Sequence, residues 1–79
     1  MKYILFEDFS GAAVPIIFPD RIDHVDMREQ MPYSKLVSAG YISLTGKGFV
    51  CHGRVKELES EAGPGDAEII AANFEMPQD

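Results

Sequence analysis

A cysteine and a histidine stand side by side at positions 51 and 52, and these residue types form nucleophile and base pairs in many hydrolases. The surrounding residues 49–55 predict a strand, on which neighbouring side chains point to opposite faces of a sheet. Cys51 and His52 therefore cannot reach each other. We expect Cys51 to be a small core residue and His52 a surface residue, and we assign no catalytic residue.

Three carboxylates and an imidazole lie within seven residues, at Asp20, Asp23, His24 and Asp26. Oxygen and nitrogen ligands of this kind can hold a divalent ion. On a helix, however, Asp23 and Asp26 share a face from which His24 is rotated away, and neither the glycine of a calcium loop nor a pair of zinc-binding histidines is present. We assign no metal and expect these carboxylates to stabilise the start of a helix.

Two glycine-rich segments are candidates for a phosphate-binding loop. Gly46-Lys47-Gly48 lacks the further glycine and the following helix of a dinucleotide-binding loop. Gly63-Pro64-Gly65-Asp66 does open a predicted helix, but Asp66 and Glu68 would repel a bound anion. The sequence thus predicts no nucleotide cofactor, and we assign none of any other kind.

Glu57, Glu59 and Glu61 alternate along the chain. In an extended strand they would lie about 6.7 Å apart on one edge, and such a row can imitate a nucleic-acid backbone, whose phosphates lie about 3.4 Å apart along one strand. In a helix only Glu57 and Glu61 would share a face. An exposed acidic loop is the third possibility, and the sequence leaves all three open.

The chain is acidic, with 13 Asp and Glu against seven Lys and Arg in 79 residues, for a net charge of −6. Few and dispersed bases disfavour direct binding of DNA or RNA. The charge suits a partner with a basic surface, although it can also serve solubility alone. The length predicts a single domain over residues 1–79, with little interior to spare for a buried pocket.

The chain's compartment is predicted from its single cysteine and its first residues. Cys51 cannot form an internal disulfide, which favours a reducing compartment and predicts a cytoplasmic protein. The apolar run that begins the chain meets Glu7 and Asp8 after four residues. It is too short for an export signal or a membrane span, and we expect no membrane association.

Hydrophobic periodicity and turn residues predict six elements in the order β-β-α-β-β-α. The predicted strands are residues 2–7, 12–18, 40–45 and 49–55, and the predicted helices are residues 22–30 and 67–74, with Asp66 as the cap of the second. The predicted fold is α+β, a small two-layer domain in which both helices pack on one face of an antiparallel sheet of about four strands. Pro15 predicts that the second strand is an edge or carries a bulge.

The predicted core combines apolar residues of both hairpins and the last helix. It consists of Tyr3, Leu5, Val14, Ile16, Ile42, Leu44, Ile69, Ile70 and Phe74. The first hairpin is apolar on both faces. Such a sheet has either a helix on each side or an exposed patch that dimerises.

Three short segments carry a resemblance: Phe18-Pro19-Asp20, Ser38-Ala39-Gly40-Tyr41, and residues 65–70 with the sequence Gly-Asp-Ala-Glu-Ile-Ile. With them the chain resembles small uncharacterised proteins encoded in phages and prophages. In size and acidity, rather than in motif, it also resembles anti-CRISPR inhibitors. That likeness implies a protein that occupies surfaces of host nucleoprotein complexes, and it assigns no functional residue.

These observations together predict a non-enzymatic accessory protein that binds and blocks a host protein or nucleoprotein complex with a basic surface. The predicted partner-binding residues are Glu57, Glu59, Glu61, Asp66, Asp23 and Asp26. The alternative is a homo-oligomeric assembly component, such as a homodimer, that pairs through the edge near Pro15 or through an apolar sheet face. A third possibility is a small-molecule binder or minor enzyme with His24 or His52 as proton carrier.

Overall fold

The computed structural model describes residues 1–46 and 48–74, and an antiparallel sheet of four strands lies at its centre, in the order β2-β1-β3-β4. The strands are β1 (Lys2–Glu7), β2 (Ala13–Phe18), β3 (Lys35–Thr45) and β4 (Gly48–His52). A two-stranded sheet follows, of β5 (Arg54–Val55) and β6 (Ser60–Glu61), joined by the 3₁₀ turn Lys56–Leu58. The helices are α1 (His24–Glu29) and α2 (Asp66–Phe74). The α+β class, with an antiparallel four-stranded sheet and two helices, is confirmed.

The turn between β1 and β2 is organised by one carboxylate. Asp8 Oδ1 accepts hydrogen bonds from the backbone and hydroxyl of Ser10, at 2.9 and 2.6 Å, and from the Ala12 amide at 3.0 Å. These bonds, with the Ser10 hydroxyl first, lower the pKa of Asp8. The strand that follows, β2, is an edge of the sheet, as Pro15 predicts.

Strand β3 begins at Lys35, five residues before the predicted start. Its pairing with β1 shifts register between Leu5, which faces Ser38, and Phe6, which faces Leu36. Val37 is the extra residue, so β3 carries a β-bulge there. The bulge interrupts the alternation of apolar and polar residues, and for that reason the pattern did not predict the first half of the strand.

The two helices cover opposite faces of the sheet, whereas the sequence predicted both on one face. Tyr3 and Leu5 point from β1 toward α2 and pack with Ile70, while Ile4 and Phe6 point the other way into a second cluster that contacts α1. β1 is therefore buried on both sides. Of the two arrangements expected for a hairpin with two apolar faces, the structure has a helix on each side, and an open apolar face over β1 is ruled out.

The predicted core is correct at its centre and wrong at its ends. Tyr3, Leu5, Ile42 and Ile70 are buried, and Val14, Ile16 and Ile69 are partly buried. Leu44 and Phe74, by contrast, are 67% and 48% exposed. Leu44 shares a sheet face with Ile42 but lies near the tip of the β3–β4 hairpin, and Phe74 lies in the last turn described of α2. Periodicity assigned both residues to the core, but both lie near the ends of their elements, where the core no longer covers them.

Helix α1 is shorter than predicted and starts without a side-chain cap. Asp23 occupies the N-cap position but makes no capping hydrogen bond, and Gln30 is the C-cap. Met27 packs against the sheet, and the Arg28 guanidinium lies 5.7 Å from the centre of the Phe6 ring. In the part of the chain that the structure describes, no helix is long and apolar enough to cross a membrane.

Candidate functional site

A buried polar cluster joins the sheet to the start of α2. The Asp66 side chain is 4% exposed, and its Oδ2 accepts hydrogen bonds from the Tyr3 hydroxyl, from Ser38 Oγ at 2.7 Å and from the Gly63 amide at 2.8 Å. Ser38 follows the bulge residue Val37 and stands opposite Leu5, so it points to the same face as Leu5 and Tyr3. Three donors on one oxygen hold α2 to β1 and β3.

The electrostatics of this cluster follow from its burial. Burial raises the pKa of Tyr3, and the hydrogen bond to Asp66 and the charge of that residue raise it further. Burial is also the main reason that the pKa of Cys51 is raised, although its hydrogen bond with Tyr3 acts in the opposite direction. Both groups are therefore kept in their neutral forms, and Cys51 lacks the lowered pKa that a thiolate nucleophile requires.

The position of Asp66 differs from the prediction in two respects. The sequence predicted an exposed acid that caps α2 and contacts a partner. The carboxylate instead bonds to groups that precede the helix, and it is shielded from solvent. A buried carboxylate that is already bound by three donors acts as an internal link, so Asp66 is not part of an acidic exterior.

An open cleft of about 460 Å³ lies above this cluster, and we call it the α2 cleft. It is lined by Leu5, Val37, Ser38, Arg54, Glu59, Ser60, Glu61, Gly63, Pro64, Gly65, Asp66 and Ile69. Two of the predicted residues, Glu59 and Glu61, stand at its exposed side. Arg54 pairs in register with Glu61 across the β5–β6 hairpin, so the cleft carries charges of both signs.

The alternating glutamates do not form a regular row. Glu57 lies in the 3₁₀ turn, Glu59 has a positive φ of 51° that ends that turn, and Glu61 lies in the two-residue strand β6. The extended and helical interpretations are therefore both wrong, and the exposed acidic loop describes the segment best. All three side chains are exposed. A backbone that changes direction at each glutamate cannot reproduce the even spacing of phosphates.

A second cleft, of about 320 Å³, brings together two acidic segments that are far apart in sequence. We call it the α1 cleft, and its lining residues are Lys2, Asp23, His24, Val25, Tyr41 and Glu57. It forms because α1 packs against the 3₁₀ turn that carries Glu57. Asp23 and Glu57, predicted separately, thus border one depression, while Asp26 is exposed on the same helix.

Two aromatic rings, those of His24 and Tyr41, line the α1 cleft and belong to a larger group of rings in contact. The His24 ring contacts Phe18 and Tyr41 edge to face, each at 5.3 Å between centroids, and Tyr41 stacks on His52 at 6.1 Å. His24 is buried, and its Nε2 donates to the Gly40 carbonyl oxygen at 2.8 Å. That bond makes His24 a positioned structural residue. Periodicity placed His24 on a weak helix face and gave no signal of this burial.

The floor of the same cleft holds a lysine. Lys2 Nζ donates to the Ile22 carbonyl oxygen at 2.9 Å and lies 3.9 Å from a carboxylate oxygen of Asp23. Asp23 is 81% exposed, so water screens this contact strongly. In the described part of the chain no ion pair is formed by Glu57, Glu59 or Glu61. These three charges are available to another molecule.

Cys51 and His52 lie on opposite faces of the sheet, as the strand pattern predicted. Cys51 stands opposite Ile42 on the α2 side, and His52 stands opposite Tyr41 on the α1 side. Among residues 1–46 and 48–74 no three His, Cys, Asp or Glu side chains are grouped so that they could share a metal ion. Comparisons of the chain with protein-family models, curated proteins and solved structures find no match.

Proposed function

We propose that this chain is a non-enzymatic binding protein that docks on a basic protein surface through its exposed acidic residues. This acidic surface runs from Asp23 and Asp26 on α1 and Glu57 beside the α1 cleft to Glu59 and Glu61 at the exposed side of the α2 cleft. The observation that carries the proposal is the packing of α1 on the 3₁₀ turn, which joins the two acidic segments. All five side chains are exposed. The contact energy of exposed charges is small individually, so the surface would act through several of them together.

The α1 cleft gives this surface a specific point of contact. Two carboxylates, Asp23 and Glu57, stand beside the rings of His24 and Tyr41. Carboxylates attract an arginine or lysine head group, and an aromatic ring face can add a cation–π contact. Lys2 reduces the negative charge at the floor of the α1 cleft, but its ammonium donates a hydrogen bond to the Ile22 carbonyl oxygen. A basic side chain of the partner would therefore approach from the Glu57 side.

The proposed action is blockage. A chain of 79 residues that covers a basic groove would compete with the acidic molecule for which that groove is built. The resemblance to phage-encoded proteins suggests a host protein or nucleoprotein complex as the partner. The exposed Arg21, Arg54 and Lys56 lie in or beside the same segments, so a partner would also need acceptors for them, which adds specificity.

A basic probe and two matched variants test the proposal. The probe is a fluorescent deca-arginine peptide, and binding is followed by anisotropy at increasing salt. Glu57→Lys with Glu59→Lys should weaken binding by about tenfold or more, because each reversal replaces an attraction of roughly 0.5–1 kcal/mol by a similar repulsion. The control, Glu7→Lys with Glu68→Lys, makes the same change in net charge outside the surface and should stay within about threefold of the wild type.

Added salt should weaken the binding of the wild type to the peptide. Equal losses of affinity in the two variants would show that only net charge matters, and the proposed surface would then be rejected. Binding of the peptide that is indifferent to salt would reject it as well.

A further inference from the structure

The sheet has two outer edges, and only one of them is blunted. Met1, which directly precedes β1, exchanges two hydrogen bonds with the backbone of Ile42 in β3, at 3.2 and 2.8 Å. Backbone groups alternate in direction along an antiparallel strand, so Tyr3 and Leu5 also face β3. Leu5 stands opposite Pro15, and that pair is consequently not hydrogen-bonded. The nitrogen of Pro15, which carries no proton, therefore faces outward and removes a donor from the middle of the β2 edge.

The opposite edge, β4, keeps its donors. The N–H and C=O groups of Ile42 both bond to Met1 and therefore point away from β4. Cys51 stands opposite Ile42 in the β3–β4 pair, so its own N–H and C=O must point away from β3. The same alternation turns the groups of Phe49 outward. No backbone bond to either residue is found outside the β3–β4 ladder in the described chain. β4 thus presents two N–H and two C=O groups at an open edge.

Apart from Cys51 and His52, the side chains on this edge are apolar. Val50, between the two outward-facing residues, is 47% exposed, and Leu44 on the adjacent strand is 67% exposed. β4 itself contains no lysine, acid or proline, the residues with which proteins protect a sheet edge. Residues 30–56 hold four of the seven bases and no acid at all, whereas all 13 acids lie elsewhere in the chain. β4 and its sheet neighbour β3 lie within this stretch, so neither strand brings a carboxylate to a contact between two copies with a charge of −6 each.

We propose that β4 pairs with β4 of a second copy in an antiparallel, two-fold symmetric dimer with one continuous eight-stranded sheet. The edge is self-complementary, because Phe49 of one copy and Cys51 of its partner exchange both backbone bonds, and the symmetry repeats this exchange. Val50 then faces its own copy across the two-fold axis in a non-hydrogen-bonded pair. This dimer uses neither the β2 edge near Pro15 nor a sheet face, and it leaves the acidic surface on α1 and the 3₁₀ turn outside the interface.

Cysteine cross-linking tests the register. In a Cys51→Ala background, Val50→Cys should oxidise to a covalent dimer, since the Cα atoms of a non-hydrogen-bonded pair lie about 4.5 Å apart and within disulfide range. The matched control is Val37→Cys in the same background, because Val37 is 48% exposed but lies on the β3 bulge. It should cross-link only slowly. Equal rates for the two cysteines would overturn the proposed register.

The association itself is tested with the wild-type chain by sedimentation equilibrium. We expect a monomer–dimer equilibrium that added salt leaves unchanged or strengthens, whereas salt weakens binding of a basic peptide. Val50→Lys, which places like charges on the two-fold axis, should abolish the dimer, and Val37→Lys should leave it intact. A wild-type chain that stays monomeric up to about 1 mM would overturn the proposal, since even a Kd of 1 mM corresponds to only about −4 kcal/mol. A dimer that Val50→Lys leaves unchanged would overturn it equally.

Discussion

Removal of the Asp66 carboxylate should be the most damaging single change in the buried polar cluster. Its Oδ2 accepts from the Tyr3 hydroxyl, from Ser38 Oγ at 2.7 Å and from the Gly63 amide at 2.8 Å. A hydrogen bond to a charged group contributes about 1.5–3 kcal/mol, and a buried donor left without a partner costs about 1–3 kcal/mol. These contributions share one acceptor and are not additive, so we expect Asp66→Ala to lower the free energy of unfolding by about 3–5 kcal/mol.

The loss of stability expected for Asp66→Ala is a large part of the total free energy of unfolding. A chain of 79 residues at roughly 0.05–0.15 kcal/mol per residue has a stability of about 4–12 kcal/mol. Asp66→Asn keeps a neutral acceptor that can occupy the Oδ2 position, and the weaker bonds should cost about 1–3 kcal/mol. The order of stability is therefore wild type, then Asp66→Asn, then Asp66→Ala.

Urea unfolding followed by far-UV circular dichroism measures these differences. Glu68→Ala is the control, because Glu68 is an exposed acid two residues further along α2, and it should change stability by no more than about 0.5 kcal/mol. If Asp66→Ala unfolds at the same urea concentration as Glu68→Ala, the cluster does not hold α2 to the sheet and the reasoning from its three donors is refuted.

Two further predictions concern the same region. Because burial and Asp66 raise the pKa of Tyr3, the unfolded chain releases a proton above about pH 10 that the folded chain keeps. The contribution of Tyr3 to stability should therefore be intact below pH 10, and the free energy of unfolding should then fall by up to about 1.4 kcal/mol per pH unit. The urea midpoint of Tyr3→Phe should depend less on pH over that range than the midpoint of the wild type. An identical pH dependence in the two proteins would contradict the assignment of this effect to Tyr3. Gly40→Ala would place a Cβ 2.8 Å from the His52 carbonyl oxygen and should cost about 1–3 kcal/mol by thermal unfolding. Gly46→Ala, with nothing within 4 Å, should cost less than about 0.5 kcal/mol, and equal effects of the two alanines would show that the close approach at Gly40 is not needed.

The sequence predicted local elements well because their signals are local. Both hairpins, the edge position of Pro15 and helix α2 follow from alternation, turn residues and helical spacing over a few residues. The first half of β3 was missed because Val37 shifts the register, which breaks the pattern that identifies a strand. Leu44 was placed in the core because its face is correct, but periodicity does not say where along a hairpin the helix above it ends.

The candidate site was only partly predictable for the same reason. The glutamates at 57, 59 and 61 are exposed as expected, but the path of their backbone depends on a positive φ at Glu59, which no sequence pattern predicts. The burial of Asp66 could not be foreseen, because its partners Tyr3 and Ser38 are 63 and 28 residues away. An acid at the start of a helix is explained locally by capping, and only the tertiary packing shows that this one faces inward.

The inner position of β1 has a consequence for biosynthesis. β1 is flanked by β2, which follows at once, and by β3, which pairs Glu7 with Lys35 and so is translated much later. At about 5–20 residues per second, the β1–β2 hairpin is synthesised a second or more before β3, and longer before α2, whose Ile70 packs on Tyr3. We therefore expect the Tyr3 face of the nascent hairpin to stay open to chaperones until α2 has been synthesised.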